Sequence, residues 1–127
     1  LDGVIDQLGS NAQLAEGVML LTPYAADSDN PESKKFTEAY KAKYNGEVPN
    51  QFAADAYDAM YIIKAAAEQA GVTPDMSVSD ICEAMKTAMT EITFDGLTGE
   101  GMTWSADGEP TKAPKAMKIV DGAYTAM

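Results

Sequence analysis

The sequence predicts an α/β fold, on three observations. First, residues 52–71, FAADAYDAMYIIKAAAEQAG, read as one long helix with apolar residues at Phe52, Ala56, Ala59, Met60, Ile63, Ala66 and Ala70. That spacing is the period of a helical face. A second apolar edge through Tyr57, Tyr61 and Ile62 predicts burial of the helix on two sides. Second, Gly17-Val18-Met19-Leu20-Leu21-Thr22 is an apolar run of strand length. Such runs suit a strand covered on both faces, as in a parallel sheet flanked by helices. Third, from Phe94 onward the texture changes to short alternating stretches separated by Gly, Thr and Pro, which read as small β elements.

The remaining elements follow in order. Val4, Ile5 and Leu8, closed by Gly9, predict one or two turns of helix and a stop. Pro23 ends the apolar strand, and Tyr24 to Asn30 form a polar connection. Asn30 reads as an N-cap with Pro31 at the first helical position and Glu32 in the first turn. Phe36, Ala39, Tyr40 and Tyr44 continue that helix until Asn45-Gly46 breaks it. Pro49 introduces the long helix and Gly71 stops it.

Ser77-x-x-Asp80 resembles a capping box with a shorter acid, and Ile81, Ala84, Met85, Ala88, Met89 and Ile92 make a one-sided stripe behind it. A short strand is expected at Met102-Thr103-Trp104-Ser105, with Trp104 in the core and a turn at Asp107-Gly108. Lys115 to Val120 alternates, and Asp121-Gly122 is a two-residue hairpin turn into Ala123-Tyr124-Thr125.

Composition narrows the function. The 127 residues carry a net charge of -11, with 9 basic against 20 acidic side chains. Such a surface repels phosphate backbones, so nucleic acid is not expected as a partner. Histidine is absent, which removes the commonest general base and metal ligand. No nucleophile motif or phosphate loop is present, and neither an enzyme nor a cofactor is expected. Cys82 stands alone beside Ile81 and reads as a buried structural thiol. Asp27-Ser28-Asp29-Asn30 lacks the Gly and distal Glu of a calcium loop and reads as turn and cap chemistry, so no metal is expected. Asp95, Glu100, Asp107 and Glu109 are interleaved with Gly and Pro and read as turn residues.

One strand covered on both faces needs neighbours on both edges, and the sequence supplies no second strand of that type. The expectation is a piece of a larger sheet protein, lacking a leader at Leu1-Asp2-Gly3-Val4 and unstable or self-associating by itself.

AEGVMLLTPY, the NPESKKF…AAEQAG stretch and FDGLTGEGMTWSADGEPTKAPKAMKIVDGAY together resemble the C-terminal third of type I periplasmic-binding-fold proteins. The resemblance is in particular to substrate-binding proteins of branched-chain amino acid ABC importers. Its markers are E-G-V after a short helix, A-x-x-A-Y-D-A, and F-x-G-x-x-G-x-M-x-W followed by D-G-E-P.

The resemblance implies a fragment of a two-lobe fold, with parallel-sheet lobes flanked by helices that close on a ligand. Residues 1–24 would belong to the C-terminal lobe, 25–112 to the N-terminal lobe, and 113–127 would return to the first. It implies an extracytoplasmic protein, periplasmic or a cell-surface lipoprotein, with its signal peptide removed. Its partners would be a small molecule such as an amino acid, an ABC permease, and either the upstream part of the same chain or a second copy. A ligand-sensing domain of a receptor or regulator is the alternative on the same fold.

Tyr24 follows the C-terminal end of the apolar strand, where ligands of open α/β sheets bind, so Tyr24 and Ala26 are candidate ligand contacts. Tyr24 as a packing hinge residue is the competing reading. Tyr57, in the A-Y-D-A turn, is a third candidate, against a plainer reading in which Tyr57 and Asp58 bond locally. Asp2 reads as a solvated or capping residue, because the acid that would meet a ligand ammonium should lie upstream of it.

Overall fold

The computed structural model describes residues 3–127, so Asp2 lies outside the described residues. The chain divides into two compact units. The first comprises Leu1–Ala54 and Ala113–Met127, and the second Asp55–Lys112.

In the first unit, α1 (Val4–Leu8) ends at Gly9, whose φ is +52°. The chain does not stop there: a 3-10 segment, Gly9–Ala15, continues with a kink at Asn11. Strand β1 (Met19–Thr22) follows. Asn30 then caps α2 (Pro31–Lys43), its side chain accepting the Glu32 and Ser33 N–H groups at 2.9 and 3.2 Å. Asn45 and Gly46 both take positive φ and end that helix as expected. The aromatic rings of Phe36, Tyr40 and Tyr44 stack in series along α2.

The unit's sheet is antiparallel, in the order β1-β2-β3, with β2 Lys115–Val120 and β3 Ala123–Ala126. Leu20 pairs with Met117, and Ile119 with Tyr124. Asp121 and Gly122 carry φ of +50° and +74°, the double left-handed step that a tight hairpin with native twist requires.

Alternation makes one face inner, with Thr22, Met117 and Ile119 buried, and one outer. The parallel, doubly covered β1 is therefore corrected. Met19 and Leu21 project from the outer face, and Leu21 is 70% exposed. β1 instead takes its partner from the C-terminal hairpin, the only strands among the described residues that can pair with it.

The second unit contains most of α3 (Gln51–Gln69) and all of α4 (Val78–Met89). Gly71, at φ +63°, follows the end of α3. Ser77 caps α4 reciprocally: its Oγ accepts the Asp80 N–H at 3.2 Å and donates to the Asp80 carboxylate at 2.7 Å. Two-sided burial of α3 is also corrected. Asp58 and Ala66 are buried, but Met60 is 68% exposed and Tyr61 and Ile63 are exposed beside it. Within this unit only one face of the helix is covered.

Cys82 is exposed rather than buried. It falls one residue past Ile81, and the stripe that turns inward runs through Ile81, Ala84, Met85 and Ala88.

Beyond α4 no strand forms at residues 102–105. Isolated bridges join Phe94 to Met102 and Trp104 to Pro110. The second bridge is held by the Ser105 and Thr111 N–H groups, which donate to the Glu109 and Thr103 carbonyls, and Trp104 is half-buried rather than in the core. Gly108, at φ +84°, donates its N–H to the Ser105 carbonyl and closes the expected turn. Asp95 likewise serves a turn, accepting the Gly101 N–H at 2.6 Å.

Candidate functional site

The A-Y-D-A turn and the F-x-G-x-x-G-x-M stretch meet inside the second unit. Asp58 is 2% exposed, and its carboxylate accepts the Leu97 N–H at 2.9 Å, the Thr98 N–H at 2.8 Å and the Thr98 hydroxyl at 2.7 Å. A buried carboxylate is tolerable only when its oxygens are satisfied in this way. The glycines of the motif have steric reasons. A Cβ on Gly96 would stand 2.6 Å from an Asp58 oxygen, and one on Gly99 would stand 2.8 Å from the Met102 side chain. Met102 fills the space beside Thr98, its sulfur 3.9 Å from that hydroxyl. These conspicuous residues thus hold a loop together. Tyr57 precedes Asp58 on α3 but is exposed, its hydroxyl 3.4 Å from that of Tyr61.

The concave surface of the first unit lies over the inner face of its sheet. It encloses about 900 Å³ and is lined by Leu20 and Met117 from the strands, Ala26 and Asp27 from the turn after β1, Tyr40 from α2 and Asn50 before α3. Ligand pockets commonly fall in this size range, with an apolar floor and a few convergent polar groups. Ala26 therefore lies on the concave wall, as a residue just past the end of β1 can.

Tyr24 lies behind that wall. It is 2% exposed, with its ring edge-on to Phe36 at 5.9 Å. The Tyr24 hydroxyl is 2.7 Å from the Thr37 Oγ1, and Thr37 donates its own hydrogen to the Ala26 carbonyl at 3.3 Å. Burial pushes the Tyr24 phenol above its ordinary value of 10.0, opposed in part by the Thr37 hydrogen bond.

On the other side of the turn, the Thr22 hydroxyl accepts the Tyr24 N–H at 3.3 Å and donates to the Gln51 side chain at 3.0 Å. Asp27 accepts the Ala126 N–H at 2.9 Å. Asp29 pairs with Lys34 at 2.8 Å, which holds its carboxyl below the usual carboxylate range. The Asp27–Asn30 run thus performs turn, pairing and capping roles. Among the described residues no group of three or more His, Cys, Asp or Glu side chains could hold a metal ion. None of their helices is long and apolar enough to cross a membrane.

Sequence reasoning placed Tyr24 and Ala26 at one strand end but missed Thr37, which joins them. Its position beside Phe36 in the α2 stripe was the available signal.

An α/β unit with a concavity past the end of a strand, followed by a glycine-locked loop on a long helix, has the character of a small-molecule binding fold. The chain belongs to the periplasmic binding protein family, whose model matches residues 2–123. A comparison with curated proteins finds no match.

Among solved structures, a leucine-binding protein from Thermotoga maritima is similar, with 25% identity and a TM-score of 0.73 over 97% of this chain and 33% of that one. A solute-binding protein of an ABC transporter from R. palustris, in complex with benzoate, matches at 22% identity and TM-score 0.75 over 100% of this chain and 32% of that one. An extracellular ligand-binding receptor from Rhodopseudomonas palustris HaA2 matches at 17% identity and TM-score 0.76, covering 97% of this chain and 38% of that one. The chain spans about a third of the length of these structures. The family and these neighbours are binding proteins.

Proposed function

We propose that the chain contributes to an extracytoplasmic substrate-binding component of an ABC importer that takes branched-chain or related small amino acids. In this reading residues 1–24 and 113–127 belong to one lobe and 25–112 to the other, and the lobes close on the ligand before the protein docks on its permease. Ala26 touches the ligand from the strand end, with Tyr24 supporting that end; Tyr57, exposed in the second unit, is kept as a separate candidate contact.

The observation that carries the reading is the wall past β1. There the turn residues Ala26 and Asp27 face a concavity with an apolar floor of Leu20 and Met117. An aliphatic side chain suits such a floor, and backbone groups with a carboxylate suit an α-amino acid head. The family match and the leucine-binding neighbour support the same class.

Calorimetry of the full-length protein with L-leucine, L-isoleucine, L-valine and benzoate tests it. Micromolar or tighter affinity for at least one of the three amino acids is expected. Heat from benzoate alone, or from none of the four, would overturn the amino-acid assignment.

A further inference from the structure

The candidate site holds a tyrosine in an unusual place for a ligand contact. Tyr24 is buried to 2% exposure with the concavity beside it open, and its hydroxyl is already bonded to that of Thr37. Further chain packed on this surface can only bury it more. The Thr37 hydroxyl passes the interaction on to the Ala26 carbonyl, and Ala26 does face the concavity. The Thr22 hydroxyl anchors the opposite side of the same segment to Gln51. The backbone leaving β1 is therefore held from α2 and from the first turn of α3 at once.

Resting on the amino-acid reading above, we infer that Tyr24 is a positioning residue that acts through Thr37 on the Ala26 carbonyl, fixing the turn that presents Ala26 and Asp27 to the ligand. Two amides report on that turn directly. Ser28 donates its N–H to the Ala25 carbonyl at 3.2 Å, and Ala126 donates to the Asp27 carboxylate at 2.9 Å. The Ile119 amide, bonded to the Val18 carbonyl at 2.9 Å, reports on the sheet instead.

The test uses the full-length protein with L-leucine as probe. Tyr24→Phe keeps the ring against Phe36 and removes only the O–H; Thr37→Val removes the relay and Thr37→Ser keeps it. In Tyr24→Phe and Thr37→Val the Ser28 and Ala126 amides should exchange about fivefold faster, the loss of one modest hydrogen bond, with Ile119 unchanged. Leucine affinity should fall by a similar factor in both variants, recover in Thr37→Ser, and be no weaker in the double variant than in Thr37→Val alone.

Unchanged exchange at Ser28 and Ala126, or a rise that includes Ile119 equally, would overturn the inference. So would faster exchange with leucine affinity intact. If Tyr24→Phe does not fold, the contrast between Thr37→Val and Thr37→Ser decides. Absence of leucine binding by the unaltered protein counts against the amino-acid reading alone, and the exchange measurement then stands by itself.

Discussion

Asp58 and Thr98 are 40 residues apart in the chain, yet one carboxylate oxygen takes both the amide and the hydroxyl of the threonine, at 2.8 and 2.7 Å. The other oxygen holds the Leu97 amide at 2.9 Å. All of these groups are buried, so the acid joins the long helix to the glycine-rich loop inside the second unit.

Asp58→Asn leaves a single acceptor oxygen and sets an NH₂ group against N–H donors. The expected loss is about 2–4 kcal/mol, because buried donors go unsatisfied. Denaturant unfolding of the second unit checks it. A loss under about 0.5 kcal/mol would show that the loop holds without the carboxylate.

Two glycines of the loop separate steric cost from backbone cost. Gly96→Ala puts a methyl 2.6 Å from an Asp58 oxygen, so something buried must move, at about 1–3 kcal/mol or more. Gly101→Ala meets no atom within 4 Å, and its φ of +58° costs about 1 kcal/mol. Thermal unfolding should rank Gly96→Ala as the more damaging. The reverse order would contradict the packing described here.

Alkaline titration isolates Tyr24. Its folded pKa lies above the ordinary 10.0 because burial disfavours the phenolate. An unfolded chain loses this proton first as pH rises. The contribution is thus fully present below about pH 10 and is lost as pH climbs through the folded value. The stability difference between the unaltered protein and Tyr24→Phe should therefore shrink above pH 10. Parallel curves through that range would place the phenol in contact with water.

Asn30 closes the first turn of α2 through two backbone N–H groups. Asn30→Ala should cost about 1 kcal/mol, and Asn30→Asp or Asn30→Ser much less. Chemical denaturation of the three variants checks the order.

Local chemistry was the most legible part of the fold. Asn30-Pro31, Ser77-x-x-Asp80, Asn45-Gly46 and Asp121-Gly122 each specify a cap or turn through their own backbone and side-chain requirements. Pairing over long separations was not legible. The apolar composition of β1 says that it is to be covered, not by what, and its observed neighbour begins at Lys115. The same gap misplaced Cys82, where a one-residue step around α4 separates inside from outside. At the candidate site, strand-end geometry pointed to Tyr24 and Ala26. The Thr37 hydroxyl between them depends on how α2 packs against the turn, which no local pattern encodes.

The first unit is assembled from Leu1–Ala54 and Ala113–Met127, and this sets an order of events during biosynthesis. A ribosome delivers β1 and must then make all of residues 23–114 before β2 emerges to meet it. Through that interval the nascent strand has an unmet edge, the condition that chaperones recognise and that favours wrong pairing. Maturation of this unit therefore waits on residues 113–127 to leave the exit tunnel.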